Sequence, residues 1–148
     1  MDRLVKKQVL ETLKKKTIQE QELKQTGMLE IASTLLHSVT QVHIFHLQTV
    51  SNSSYAEHNA LGSFYDEIDG LVDSLIESCQ GKHGIIKGYK NYKLEDYQDV
   101  KQLITYLEGL EEVIETNRKS IKESYLQNQL DTIEELINST LYKLKYLK

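Results

Sequence analysis

Apolar residues recur at intervals of three and four along most of this chain, the spacing of an α-helix with one buried stripe. Met28, Ala32, Leu35, Val39 and Val42, widened by Leu36, Leu47 and Val50, predict a first core helix over 25–50. Ser51-Asn52-Ser53-Ser54 ends it, and Ser53 or Ser54 is placed to cap the next helix. Leu61, Tyr65, Ile68, Val72, Leu75 and Cys79 predict a second over 55–80, closed at Gly81. Residues 81–96 hold Gly81, Gly84 and Gly88, which break the period and predict a long crossover with room for a short helical turn. Val100, Leu103, Ile104, Leu107, Leu110 and Ile114 mark a third helix over 97–118. Leu126, Leu130, Ile133, Ile137, Leu141 and Leu144 mark a fourth over 122–147. A crossover of this length leaves the second and third helices parallel instead of hairpinned. The fold class expected is all-α, a four-helix bundle over 25–148 preceded by an arm over 1–24.

The arm has a weaker pattern. Leu4, Val5, Val9, Leu10 and Leu13 give a narrow stripe, and beyond Leu13 the segment is polar. Two readings stand open: a helical arm with a docking face, or a solvated terminus.

Composition narrows the setting. The chain has 148 residues, no proline and no tryptophan, and is rich in good helix formers. That length suits one domain with a substantial core. No apolar run approaches the roughly 18 residues of a membrane span. No secretory signal is visible. The single cysteine, Cys79, lies on an apolar face, where an inert buried thiol is expected. A reducing cytoplasm is the expected compartment. The net charge is −4, yet residues 1–24 carry seven basic and four acidic residues, so the remainder carries −7. A basic arm on an acidic body implies DNA or an acidic protein surface as partner, through Lys6, Lys7, Lys14, Lys15 and Lys16. No aromatic residues interleave with these lysines.

No glycine-rich phosphate loop and no ordered Ser-His-Asp set stands out. Metal chemistry has more support. His46 and His58 flank the first turn, and Asp73 and Glu77 are one helical turn apart on a stripe that also holds Gly62, Asp66 and Asp69. The plain alternative is a packed histidine pair and a solvated acidic face. Glu-x-x-His, the mark of a di-iron site inside one bundle, does not occur. His58 and Asp73 lie about 22 Å apart along a helix. One subunit therefore cannot close all four ligands on one ion, whereas two antiparallel copies of the second helix can. His37, His43 and His83 are taken as structural, with His43 a spare ligand.

The register of His46, His58, Asp73 and Glu77 resembles the ferroxidase region of the Dps mini-ferritins. The stretch YAEHNALGSFYDEIDGLVD is similar to Dps-like proteins encoded by bacteriophages, and DTIEELINSTLYKLKYLK resembles the family's last helix. The resemblance implies a ferritin-like bundle with a short helix in its crossover, twelve subunits in a hollow shell, and iron(II) oxidised between subunits. It also implies DNA contact through a basic N-terminal tail. Where the family carries an aspartate a turn after the second histidine, this chain has Gly62, and Leu47 stands where an aromatic residue follows the first. The departure at Gly62 opens a second expectation: a vestigial metal site in a structural or adaptor protein, for example a phage particle component.

Overall fold

The computed structural model describes residues 2–50 and 54–148, and the side chains of all of these except residues 21 and 23–25. The described residues form α1 (Arg3–Gln48), α2 (Tyr55–His83), α3 (Val100–Asn117), a single 3-10 turn (Arg118–Ser120) and α4 (Ser124–Tyr146). There is no strand among them. No helix is long and apolar enough to cross a membrane among the described residues.

The four helices enclose one core. α2 packs on α1 and α4, and α3 packs on the same two, so α1 and α4 stand diagonally, as do α2 and α3. The expected periodic residues supply most of the core: Met28, Leu35 and Val42 from α1, Leu61, Ile68, Val72 and Leu75 from α2, and the leucine and isoleucine stripes of α3 and α4. Phe45 and Phe64 fill its centre and are almost wholly excluded from water. Each such side chain contributes about 1.5–3 kcal/mol by burial. Leu36, Leu47 and Val50 do not widen the α1 stripe; all three are exposed. Tyr65 is only half-buried, and Phe64 takes the inward place.

Helix ends follow local chemistry. The Ser54 hydroxyl accepts from Glu57 N at 3.2 Å and caps α2. Ser51, Asn52 and Ser53, expected to end the first core helix, lie outside the described residues; α1 closes at Thr49, whose N–H donates to Phe45 O and His46 O. Gly81 does not end α2. The helix runs one residue short of Gly84, which takes a φ of 92°, a conformation open to glycine and strained for other residues. Asp99 caps α3 by accepting from Gln102 N at 2.8 Å. The turn into α4 carries neither Gly nor Pro, and Arg118 holds it. Its guanidinium reaches Gln127, Asp131 and Glu134, and the Gln127 amide donates back to Arg118 O and Ile121 O.

The crossover, residues 84–99, contains no helical turn. It runs extended along a polar ridge of α1, whose side chains satisfy its backbone groups in place of a ladder. Ser33 accepts from Lys90 N, His37 reaches Lys93 O, Gln41 pairs both ways with Glu95, and Gln48 accepts from Tyr97 N. Glu30 forms an ion pair with Lys90. Because 90, 93, 95 and 97 meet α1 in ascending order, the crossover returns the chain to the end where α2 began. α2 and α3 therefore start at the same end and run parallel.

Gly27 marks the other end, where α1 passes the α3–α4 turn. A β-carbon there would stand 2.5 Å from Ser120 Oγ and 3.0 Å from Asn117 O. Beyond Gly27 towards the N-terminus, α1 continues without a break to Arg3, so the arm and the first core helix are one rod. Leu4, Val5, Val9, Leu10, Leu13 and Ile18 of the arm are exposed, from 43 % at Val5 to 65 % at Leu4. Lys24, counted with the basic arm, has a side chain outside the described set.

Candidate metal centre

His46 sits in the last turn of α1 and His58 in the second turn of α2, on either side of the connection at 49–54. Their rings stack, with centroids 4.0 Å apart and planes 23° from parallel. The two residues clasp each other through their backbones. His46 Nδ1 lies 3.0 Å from His58 O. His58 Nδ1 lies 3.1 Å from His46 O and 2.9 Å from Thr49 Oγ1. The Thr49 hydroxyl gives its proton to His46 O at 2.7 Å, so towards His58 it accepts.

These contacts fix where one proton of each ring sits. A carbonyl oxygen only accepts, so each Nδ1 carries a proton, and in the neutral ring Nε2 holds the lone pair. An Nδ1–H bonded to a backbone carbonyl is the arrangement that orients an imidazole for metal binding through Nε2. The end of α1 adds partial negative charge, which favours a cation nearby.

Gly62 lies one turn beyond His58, and the His46 ring rests on it. A β-carbon at residue 62 would stand 3.0 Å from His46 Cε1 and 3.3 Å from its Nδ1. The missing side chain is thus the space His46 occupies. The ring cluster continues outward: Tyr65 lies 5.6 Å from His46, and His43 stacks on Tyr65 at 4.2 Å and 6°. Beside them a shallow groove of about 340 Å³ is lined by Val39, Thr40, His43, Tyr65, Asp66 and Asp69.

Asp73 and Glu77 are exposed on the solvent side of α2. α2 is unbroken between His58 and Asp73, which puts about 22 Å of helix axis between them. The structure therefore brings the two histidines together and leaves the two carboxylates apart from them. Among the described residues, no three His, Cys, Asp or Glu side chains converge to hold a metal ion. Thr49, which locks the His58 tautomer, had no signal in the sequence beyond its nearness to the turn. Tyr65 did carry one, a periodic apolar position, and its ring instead borders the histidines.

The other histidines have local roles. His37 Nε2 donates to Lys93 O at 3.0 Å, so its Nδ1 accepts from the Tyr106 hydroxyl at 2.9 Å. Burial holds that phenol well above the usual tyrosine range. His83 pairs with Glu123 at 2.8 Å. Cys79 is buried, and burial first, then the Glu123 carboxylate, pushes its thiol up, away from the thiolate form that reacts.

Of the arm lysines, Lys6, Lys7, Lys14, Lys15 and Lys16 are all exposed on α1. At 100° per residue, Lys6 falls on the side that the core stripe occupies further along the helix, Lys7, Lys14 and Lys16 lie towards its flanks, and Lys15 faces the opposite way.

A family model matches residues 46–144. The chain belongs to DUF5856, a family of unknown function. The matched span opens at His46 and takes in the histidine pair, α2, α3 and all but the last two residues of α4. No curated protein and no solved structure is similar enough to the chain to count as a match.

Proposed function

We propose that this DUF5856 chain is a Dps-like mini-ferritin, with a ferritin-like bundle, that binds and oxidises iron(II) between two of its copies. His46 and His58 of one subunit provide the nitrogen ligands. Asp73 and Glu77 of an antiparallel neighbour provide the oxygen ligands. Iron is the substrate, and two imidazoles with two carboxylates suit a divalent first-row metal. The observation that carries this reading is the reciprocal clasp of His46 and His58, which spends both Nδ1 protons on backbone carbonyls and so makes Nε2 the ligating atom of each neutral ring. The offset of about 22 Å along α2 supports a site shared between chains. A closed shell of twelve and DNA contact by the arm belong to the same reading.

Anaerobic calorimetric titration with iron(II), followed by addition of peroxide and optical detection of iron(III), tests it. His58→Ala should lower affinity at least tenfold, within the loss seen when ligand geometry is disturbed, and slow iron oxidation. Equal uptake by both proteins would refute the assignment.

Gly62 favours a second reading. The His46 ring fills the volume that a side chain at residue 62 would take, so no carboxylate from this position joins the donor set. On that reading the chain is a structural or adaptor protein, such as a phage particle component, with a redox-silent site. Mass in solution separates the two: a closed shell supports storage, and a ring or a chain docked on another protein supports the adaptor.

A further inference from the structure

The arm has no aromatic residues among its lysines, whereas the end of the chain does. Tyr142, Lys143, Lys145, Tyr146 and Lys148 fall together in the last turns of α4 and just beyond it. They come to the end of the bundle where α2 begins. A groove of about 700 Å³ opens there between the two helices. Tyr55 of α2 and Tyr146 of α4 line it with Lys143 and Lys148, and the short side chains of Ala56 and Ala60 leave it open.

The rings of this groove face water. Tyr55 is 79 % exposed and Tyr146 71 %, more than any other large apolar side chain among the described residues. Tyr142 stands one turn before Tyr146, its ring 5.6 Å away, and extends the aromatic ledge. Single exposed rings need no explanation, but three gathered at one place mark a contact surface. The charge is one-sided as well. Lys145 pairs with Glu108, whereas Lys143 and Lys148 have no ion pair among the described residues. No carboxylate side chain lines the groove among those residues. Carboxylates return further along the body, at Asp66 and Glu67 on α2 and at Glu135 on α4, so a polyanion is confined to this end. Cations beside exposed rings take a ligand that is both anionic and aromatic. An unpaired nucleic acid strand is both, because every base has a face that stacks on tyrosine. A duplex offers only base edges, its faces being spent on one another. A lipid surface fits less well, since Asn59 and Ser63 also line the groove and would lose water there without a partner. Base edges supply such partners.

We infer that the α2–α4 groove binds single-stranded nucleic acid. Bases stack on Tyr55 and Tyr146, with Tyr142 taking the next one, and Lys143 and Lys148 hold the phosphates between them. The contact uses neither the arm nor a metal.

Fluorescence anisotropy of the full chain with a labelled oligothymidylate of about ten nucleotides, a length within the span of such grooves, tests this. A chelator is present, so that metal plays no part. Tyr55→Ala and Tyr146→Ala should each weaken binding about fivefold or more and leave its salt dependence unchanged. Lys143→Gln should weaken binding too, and lower the slope of log affinity against log salt by about 0.7, one phosphate's share on a single strand. Both tyrosines face water, and circular dichroism checks that helix content is kept. Duplex DNA of the same length, whatever its affinity for the arm, should bind the tyrosine variants as it binds the parent. No binding of the single strand by the parent, tyrosine variants that bind it as the parent does, or equal loss of duplex and single strand overturns the inference. So does a parent that ignores the oligonucleotide but binds phosphatidylserine vesicles and loses them with the tyrosines; a lipid surface is then the occupant.

Discussion

At the scale of single residues, Gly62 governs the histidine pair. In mid-helix, glycine costs about 0.5–1 kcal/mol against alanine, and the return is the 3.0 Å approach of the His46 ring. Gly62→Ala should therefore leave stability within about 1 kcal/mol of the parent, as helix propensity and the displaced ring offset one another. Metal affinity should fall several-fold, and the His46 Nδ1–H resonance should shift in the proton spectrum. An unmoved resonance with unaltered affinity would show that the ring does not depend on glycine. The sequence exposed this position only as a departure from a resembled pattern. That the gap is filled by His46 depends on how α1 crosses α2, which no one-dimensional spacing encodes. The same holds for Thr49: its hydroxyl orders both histidines through contacts at separations of three and nine residues across a turn.

At the scale of elements, periodicity located all four helices and most of the buried stripes, because one buried face leaves a direct trace at 3.6 residues per turn. Ends were less legible. Gly81 and Gly84 look alike in sequence, and only Gly84 takes the positive φ that closes α2. Arg118 closes the α3–α4 turn with side-chain bonds to residues 9 to 16 positions away, a pattern without a local signature. The crossover was legible as irregular, not as a strap held by the polar ridge of α1. Tyr106 tests that strap. Its hydroxyl donates to His37, which in turn donates to Lys93 O, while its ring packs edge-on to Phe45 at 5.7 Å. Tyr106→Phe keeps the ring and removes the hydroxyl. Urea unfolding should show a loss of about 1 kcal/mol, with faster amide exchange in the crossover. An unchanged midpoint would mean that the strap is held without this relay.

At the scale of the whole molecule, the charge asymmetry read from composition lies along one helix: Lys6, Lys7, Lys14, Lys15 and Lys16 all stand exposed on the N-terminal part of α1. The proposed metal centre also exists only at this scale, since α2 sets His58 and Asp73 about 22 Å apart. Mixing chains that carry His58→Ala with chains that carry Asp73→Ala, after joint unfolding and refolding, tests this most directly by iron(II) titration. Each variant alone should lack tight sites. The mixture should recover them, one in each mixed pair, because an intact His46–His58 set then faces an intact Asp73–Glu77 set. A mixture that binds no better than either variant alone would contradict a site shared between two copies.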